Sequence, residues 1–276
     1  MKKLILTAVA ACGFLLSEAQ LKIPAPSPTQ NLVQDFGLSN IELSYSRPGV
    51  KGRVIFGDLV PYDKVWRTGA NQATTLKFGD DVMIGDTKIP AGKYGLLTIP
   101  GKKEWTVILT KQLDVTSPAA YNEAMDVVRV VAIPQKIKEN VETFTIGFTD
   151  ITPNTCNLAL TWDNTTVAVP ISTDVETKVM AQIDQLMNKD NRPYFAAAMY
   201  YMNTGKDLKT ALDWFDKAAA AQPNAFWVEH QRANCLAKLG KKEDARKAAE
   251  KSKAMAMAAK NDDYVRLNEK LLEELK

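Results

Sequence analysis

Hydrophobic and polar positions along the chain follow two different periods, and the change falls near residue 173. Over residues 40–173, apolar and polar residues alternate in nine short runs, of which IELSYS is the first. Its residues Ile41, Leu43 and Tyr45 fall on one side, as expected for a half-buried strand with a period of two. Turn residues separate many of the runs. The pattern predicts an antiparallel β-sandwich or jelly-roll-like domain.

One long interruption breaks the series of predicted strands. The segment LTKQLDVTSPAAYNEAMD, residues 109–126, lacks the strand period. We predict a loop there, with a helical turn near Ala119–Met125. Long loops inside a compact domain are often functional, and disorder is the alternative interpretation.

From residue 174 onward the pattern is helical. Val175, Val179, Ile183 and Leu186 recur at spacings that draw one apolar stripe along a helix. We therefore predict a helical domain over residues 174–276 with at least five helices. The whole chain is predicted to be an α+β multidomain protein.

The helical half contains an internal repeat. The segments TGKDLKTALDWFDKAAAAQPNA and LGKKEDARKAAEKSKAMAMAAK align with Ala211 over Ala245, which are 34 residues apart. This is the period of tetratricopeptide repeats. Gly205 and Gly240 fall at the predicted turns between the paired helices. The helical half thus resembles tetratricopeptide-like helical hairpins, and we predict that it docks a protein partner.

The N-terminal residues have the pattern of an export signal. Two lysines precede an apolar run that is shorter than the roughly 20 residues of a membrane span, and SEAQ offers a cleavage site after Ala19. We predict a signal peptide over residues 1–19, an N-terminal extension over residues 20–39, no transmembrane segment, and a periplasmic or secreted protein. The alternative is a lipoprotein anchored through Cys12, because VAAC resembles a lipidation motif.

Charge and residue usage exclude several classes of function. Residues 20–171 carry 15 basic and 15 acidic residues, and the chain beyond them carries 18 and 16, so no nucleic-acid partner is predicted. His230 is the only histidine and is expected at a helix surface or groove. A serine–histidine–acid triad or a histidine-built metal site in the β-domain is therefore excluded. We predict no catalytic residue, no metal and no cofactor.

Basic residues are concentrated in SRPGVKGRVIFGDLVPYDKVWRTGANQAT, residues 46–74. Five basic and two acidic residues lie between Arg47 and Arg67. In a structural interpretation, the arginines bind carbonyls at loop ends or pair with Asp58, Asp63 or Asp126, since guanidinium presents five donors in a fixed fork.

The same cluster has a second interpretation as a binding site. Its guanidinium groups would converge on a carboxylate, a phosphate or a sulfated sugar, groups that arginine binds in a bidentate manner. The candidate ligand-binding residues are Arg47, Lys51, Arg53, Tyr62, Trp66, Arg67 and Asn71. The possible ligand is an anionic small molecule or glycan.

The motifs YSRPGVKGR and VWRTGANQAT, followed by IPAGKYGLLTIP and VETFTIGF, carry a family resemblance. The chain resembles an uncharacterised family of secreted proteins common in Bacteroidetes, a domain of unknown function, over about residues 23–172. The resemblance implies a secreted β-domain followed by tetratricopeptide-like helices, and it implies no activity.

Two functions of different class follow from these observations. The first is a secreted or periplasmic non-catalytic binding protein, with the basic cluster holding an anionic ligand or glycan. The second is a hydrolase or lyase acting on an anionic glycan or peptide through the same cluster, assisted by Tyr62 or Tyr121. The lack of a complete catalytic motif favours the first.

Overall fold

The computed structural model describes residues 23–276. The predicted signal peptide and the alternative lipidation site at Cys12 lie outside these residues. The chain divides into a β-rich unit that ends at Val175 and a helical unit that spans Glu176–Lys276. The predicted change of period near residue 173 therefore coincides with a change of architecture.

The β-rich unit contains ten strands in the described residues, arranged in two antiparallel sheets. The strands are β1 (Thr29–Phe36), β2 (Ser39–Ser46), β3 (Thr75–Phe78), β4 (Val82–Ile84), β5 (Thr87–Ile89), β6 (Gly92–Pro100), β7 (Trp105–Thr110), β8 (Asp126–Ala132), β9 (Gln135–Thr149) and β10 (Thr155–Ser172). The six-stranded sheet has the order β1-β2-β3-β6-β7-β8, and the four-stranded sheet has the order β5-β4-β10-β9.

Both sheets contribute to one hydrophobic core. Leu43 and Leu96 come from the six-stranded sheet, and Ile146 and Trp162 come from the four-stranded sheet. Removing apolar surface from water stabilises such a core by about 25 cal/mol per Å². This shared core explains the alternation along strands such as β2, which is buried on one side. Strands β6 and β7 are also buried on their other side, where Leu97 and Ile108 pack with Val115.

Strand β1 lies in the region that the sequence places in an N-terminal extension. It pairs with β2 along its whole length, from Thr29 opposite Ser46 to Phe36 opposite Ser39. Gly37 has a positive φ of 61° and forms the turn between the two strands. As the edge strand of its sheet, β1 carries many polar residues, and its TQNLVQDF sequence has little apolar alternation.

The helical unit continues the chain after the second sheet. Its helices, with α1 starting at the unit boundary, are α1 (Val175–Leu186), α2 (Tyr194–Asn203), α3 (Leu208–Ala221), α4 (Phe226–Lys238), α5 (Lys242–Ala258) and α6 (Asp262–Glu274). Gly205 and Gly240 adopt positive φ angles of 70° and 74° in the turns after α2 and α4. The aligned residues Ala211 and Ala245 are fully buried, which allows neighbouring helices to approach closely.

The single histidine lies in the interior of the helical unit. Nδ1 of His230 is 2.8 Å from Oδ1 of Asn268. The Asn268 amide also donates to Oγ of Ser252 at 2.9 Å and to the carbonyl of Tyr264 at 2.7 Å. His230 is buried, with 6% of its surface exposed, so the expected surface or groove position is wrong.

Over residues 23–276, no helix combines the length and the apolar character that a membrane span requires.

Candidate functional site

The basic cluster lies on the long connection between β2 and β3, which is fastened to both sheets. Val50 N donates to Glu142 O at 2.7 Å, and Phe144 N donates to Pro48 O at 2.9 Å, which attaches the connection to β9. Trp66 exchanges two backbone hydrogen bonds with Thr98 on β6, at 2.7 and 3.0 Å. The connection is therefore held in a defined shape although it contains no named strand or helix.

Two glycines permit the close turns of this connection. Gly57 has a φ of 98°, and a Cβ atom there would lie 2.6 Å from the Tyr62 ring. Gly69 has a φ of 152°, and a Cβ atom there would lie 3.0 Å from the carbonyl oxygen of Ser46. Both positions require a residue without a side chain, which explains two of the glycines among the basic residues.

A hollow of about 340 Å³ opens beside this connection, and we call it the basic hollow. Three cationic side chains line it, those of Arg53, Lys64 and Arg67. Within residues 23–276, no aspartate or glutamate side chain is among its lining residues. The hollow is therefore a local concentration of positive charge in a unit whose overall charge is balanced.

Arg67 is a cation of the hollow whose hydrogen-bonding groups the protein satisfies only in part. Its Nη1 donates to the carbonyl of Thr116, which lies in the loop between β7 and β8. Its Nε is buried and has no hydrogen-bond partner among the described residues. A buried donor without a partner costs roughly 1–3 kcal/mol. Arg67 thus keeps hydrogen-bonding capacity that nothing in the described chain uses.

Arg53 has a more structural environment than Arg67. Its Nε donates to Val50 O at 3.1 Å, and its Nη2 donates to Gly49 O at 2.6 Å. These bonds fix the turn at the start of the connection. Arg53 still lines the basic hollow and adds its charge there.

Two indole rings form an aromatic wall of the basic hollow. Trp66 stacks on Trp162 with ring centroids 5.8 Å apart and an angle of 15° between the rings. Nε1 of Trp66 donates to Gly69 O at 3.1 Å. Trp162 is buried and Trp66 is half-buried, so the ring of Trp66 is the more accessible of the two.

The loop between β7 and β8 contributes Thr116, Ser117 and Pro118 to the lining of the hollow. Two short 3₁₀ turns, Pro118–Ala120 and Glu123–Met125, lie at the predicted helical turn.

The far end of this loop is held by a polar cluster outside the hollow. Tyr121 Oη donates to Oδ2 of Asp126 at 2.5 Å, and Arg129 Nη1 lies 3.3 Å from the same oxygen. Burial, followed by this hydrogen bond, raises the pKa of Tyr121 well above its ordinary range. The phenol is therefore protonated at neutral pH, which does not suit a general base.

Arg47 lies in a second region, which we call the β2–β9 clamp. Its Nε donates to Phe144 O at 3.1 Å, and its Nη2 donates to Oγ1 of Thr145 at 2.7 Å.

Two residues before Arg47, Oη of Tyr45 accepts a hydrogen bond from Ile146 N at 2.9 Å and lies 3.0 Å from Ile146 O. Burial raises the pKa of Tyr45, while the bond to Ile146 and the charge of Arg47 lower it by less. The clamp joins the two sheets.

The other candidate residues do not line the basic hollow. Nζ of Lys51 is 3.4 Å from Pro26 O, and Nδ2 of Asn71 donates to Ser27 O at 3.0 Å. Both therefore hold the segment that brings Ser27 to the rim of the hollow. Tyr62 lines a separate cavity of about 100 Å³, where Nζ of Lys102 lies 5.6 Å from its ring centroid.

The structure thus brings together Arg53, Trp66 and Arg67 from the seven candidate residues. The arginines bind carbonyl and hydroxyl groups, and the alternative partner Asp126 pairs with Arg129 instead. The candidate set lacked Lys64, which lies in the same basic cluster. It also lacked Trp162, Thr116 and Ser117, which are distant in sequence; the unpatterned loop at 109–126 was the signal for the last two.

In the part of the chain that the structure describes, no group of three or more histidine, cysteine, aspartate or glutamate residues has the arrangement of a metal site.

The comparisons with known proteins place the basic hollow inside a family domain. No curated protein and no solved structure matches the chain. A family model described as "Protein of unknown function (DUF2911)" matches residues 27–171, more than half of the chain. The residues that line the basic hollow run from Ser27 to Trp162 and all lie within the match. The chain therefore belongs to the DUF2911 family.

Proposed function

We propose that this protein is a non-catalytic binding protein whose β-rich unit holds an anionic ligand in the basic hollow. The observation that carries the proposal is Arg67, whose buried Nε has no partner at the edge of a hollow lined by three cations. Buried polar groups are normally hydrogen-bonded, so an exception calls for an explanation. In this proposal a bound anion supplies the missing acceptor, with a shift of the Arg67 side chain that opens the buried Nε to the ligand.

The electrostatics of the hollow support this proposal. Arg53, Lys64 and Arg67 surround it, and no carboxylate of residues 23–276 lines it to neutralise them. Like charges held in a concave site repel one another, and an anion that enters relieves the repulsion. Hydrogen bonds between an ionised donor and an ionised acceptor are about twice as strong as neutral ones.

The shape of the hollow also supports ligand binding. Ligand sites are usually concave, mostly apolar and about 300–1,000 Å³ in volume, with a few convergent polar groups. The basic hollow has a volume of about 340 Å³ and combines its cations with tryptophan, proline and aliphatic side chains. It is therefore large enough for a small organic anion.

A hydrolase or lyase acting through the same cluster is the alternative function. That reaction would need an acid or base beside the bound substrate. The two tyrosines considered for this role, Tyr62 and Tyr121, are not among the residues that line the hollow. The binding function needs no such group, and we favour it for this reason.

The proposal extends to the compartment and to the helical unit. The signal peptide over residues 1–19, or lipidation at Cys12, would export the protein to the periplasm or the cell exterior. The two sheets would form a β-sandwich. The hairpins turned at Gly205 and Gly240 would be tetratricopeptide-like repeats that dock a protein partner.

The binding function is tested by anion-dependent thermal stabilisation of the full chain. The probes are inorganic phosphate, glucuronate and naphthylacetate, added to the wild type, to Arg67→Ala and to the matched control Arg266→Ala. Arg266 is an exposed arginine of α6 that pairs with Asp263. A ligand at a hundred times its Kd stabilises the folded state by about 2.7 kcal/mol.

We expect at least one probe to raise the melting temperature of the wild type and of Arg266→Ala but not that of Arg67→Ala. The comparison between variants removes the general effect of salts on stability, which acts on every variant. An equal rise in all three proteins, or no rise with any probe, contradicts the proposal.

A further inference from the structure

We infer that the ligand of the basic hollow is a carboxylate carried on a flat, apolar body, and not a hydroxyl-rich sugar acid. This inference rests on the proposed function and adds the chemical class of the ligand. It follows from three properties of the hollow, which are the unpartnered Nε of Arg67, the shortage of acceptor side chains and the apolar remainder of the lining.

The first property is the way in which Arg67 uses its guanidinium group. Its Nη1 is occupied by Thr116 O, whereas Nε is buried and has no partner within residues 23–276. Nε and Nη2 form one edge of the guanidinium plane, with two parallel N–H groups. That edge matches the two oxygens of a carboxylate, so a carboxylate that binds Nη2 would also meet Nε once the side chain shifts to open that buried atom.

The second property is that the polar side chains around the hollow are mainly donors. Arg53, Lys64 and Arg67 have no acceptor atoms, because guanidinium and ammonium groups only donate. Within the described chain, no aspartate, glutamate, asparagine or glutamine side chain lines the hollow. The hydroxyl groups of Ser27 and Thr116 are among the few side-chain acceptors.

This inventory disfavours a sugar. Each sugar hydroxyl brings a donor that needs an acceptor once it is taken out of water. A buried donor that finds no acceptor costs free energy. The hydroxyl groups of a sugar acid would therefore offset much of the binding free energy that its carboxylate contributes. An acid whose only polar group is the carboxylate avoids this cost.

The third property is the apolar surface that fills the rest of the lining. It consists of Trp66 and the residues Pro48, Leu59, Val60, Pro61 and Val65. Leu59 is 44% exposed. An apolar ligand body would remove this surface from water, whereas inorganic phosphate would leave it exposed.

The aromatic wall favours a flat ligand body. The half-buried ring of Trp66, which stacks on the buried Trp162, belongs to the lining, and aromatic rings prefer offset stacks or edge-to-face contacts with such a ring. The volume of about 340 Å³ is at the lower end of the range for ligand sites and therefore suits a one- or two-ring acid.

The test is isothermal titration calorimetry of the full chain with four probes. Naphthylacetate has the carboxylate and the flat apolar body, naphthylethanol has the body without the charge, glucuronate has the charge with hydroxyl groups, and inorganic phosphate has the charge alone. We expect naphthylacetate to bind at least about tenfold more tightly than each of the others. A tenfold difference corresponds to 1.4 kcal/mol, about one good polar or apolar interaction.

Variants of Arg67 locate the binding and test its geometry. Arg67→Ala should weaken naphthylacetate binding about ten- to hundredfold, which is the usual worth of a charge-assisted hydrogen bond. Arg67→Lys keeps the charge but loses the two-donor edge, so its affinity should also fall. The matched control is Lys103→Gln, an exposed cation outside the basic hollow, which should bind as the wild type does.

Indole N–H resonances provide an independent location of the ligand. Naphthylacetate should shift the signals of Trp66 and Trp162, and it should leave those of Trp214 and Trp227 in the helical unit unchanged. The helical-unit signals are assigned with Trp214→Phe and Trp227→Phe.

The possible outcomes separate the two proposals. If glucuronate or phosphate binds as tightly as naphthylacetate, and Arg67→Ala weakens that binding, the proposed ligand class is wrong and the proposed function stands. If no acid binds, if the alcohol binds as tightly as the acid, or if Arg67→Ala binds normally, both proposals are wrong.

Discussion

Two arginines of the same connection have opposite environments. In the β2–β9 clamp, Arg47 uses its Nε and Nη2 atoms on Phe144 O and Thr145 Oγ1. In the basic hollow, Arg67 binds Thr116 O through Nη1 and leaves Nε without a partner in the described chain. The same guanidinium nitrogen, Nε, is thus bonded by the protein in one region and left without a partner in the other.

The difference teaches that the number of cations in a cluster does not define a site. Arg53 uses the same edge as Arg47, on Gly49 and Val50, so two of the three arginines fasten the backbone. What distinguishes Arg67 is the pairing of each nitrogen atom, which depends on which strand or loop lies opposite. Four predictions test this difference between the clamp and the hollow.

The largest expected effect belongs to Arg47→Ala. The substitution removes two hydrogen bonds from a charged donor and leaves the carbonyl of Phe144 without its side-chain partner, so we expect a loss of about 2–3 kcal/mol in the free energy of unfolding. Urea unfolding measures this loss. The matched control, Arg266→Ala on the surface of α6, should lose less than about 0.5 kcal/mol. A comparable loss of stability in both variants would contradict the structural role assigned to the clamp.

Tyr45→Phe tests the buried partner of the clamp. It removes the hydroxyl group beside the backbone of Ile146 and should lower the free energy of unfolding by about 1–3 kcal/mol. Because burial raises the pKa of Tyr45 above its ordinary value of 10.0, its contribution is fully present below pH 10.0 and is lost as the pH rises through the higher folded pKa.

The stability difference between wild type and Tyr45→Phe should therefore shrink in strongly alkaline solution. Unfolding measured from neutral pH to above the ordinary pKa follows this change. A difference that grows with pH would contradict the assigned direction of the pKa shift.

Arg67→Ala should have a small effect on stability. It removes one hydrogen bond to the exposed loop carbonyl of Thr116, and it also removes a buried donor that has no partner. These changes oppose each other, so the free energy of unfolding should change by less than about 1 kcal/mol. A loss as large as that of Arg47→Ala would make Arg67 another structural arginine.

Lys64→Gln should have the smallest effect. Lys64 is exposed at the hollow, and surface substitutions usually change stability by less than about 0.5 kcal/mol. Naphthylacetate affinity should fall only a few-fold, because one charge of three is lost and solvent screens it. An unchanged affinity would show that Lys64 does not contribute to binding and that only the arginines of the hollow do.

The sequence predicted the architecture better than the site because strand and helix periods are local. The alternation through Ile41, Leu43 and Tyr45 identified β2, and the change of period near residue 173 identified the unit boundary. Strand β1 gave no such signal, because an edge strand carries polar residues on much of its surface.

The site depended on contacts between distant segments. Lys64 could have been predicted as a lining residue because it belongs to the basic cluster. Thr116 and Trp162 are distant in sequence, and only the folded arrangement of the sheets brings them to the basic hollow. The hydrogen-bond partners of Arg47 and Arg67 include Phe144 and Thr116, which lie far away in the chain. No periodicity within residues 46–74 contains that information.

The central claim is tested most directly by urea unfolding with and without a saturating anion probe, in wild type, Arg47→Ala and Arg67→Ala. At a hundred times its Kd, naphthylacetate should stabilise wild type and Arg47→Ala by about 2.7 kcal/mol. It should leave the stability of Arg67→Ala nearly unchanged. Without the probe, however, Arg67→Ala should be more stable than Arg47→Ala. Equal stabilisation of all three proteins, or its loss in Arg47→Ala alone, would contradict the account.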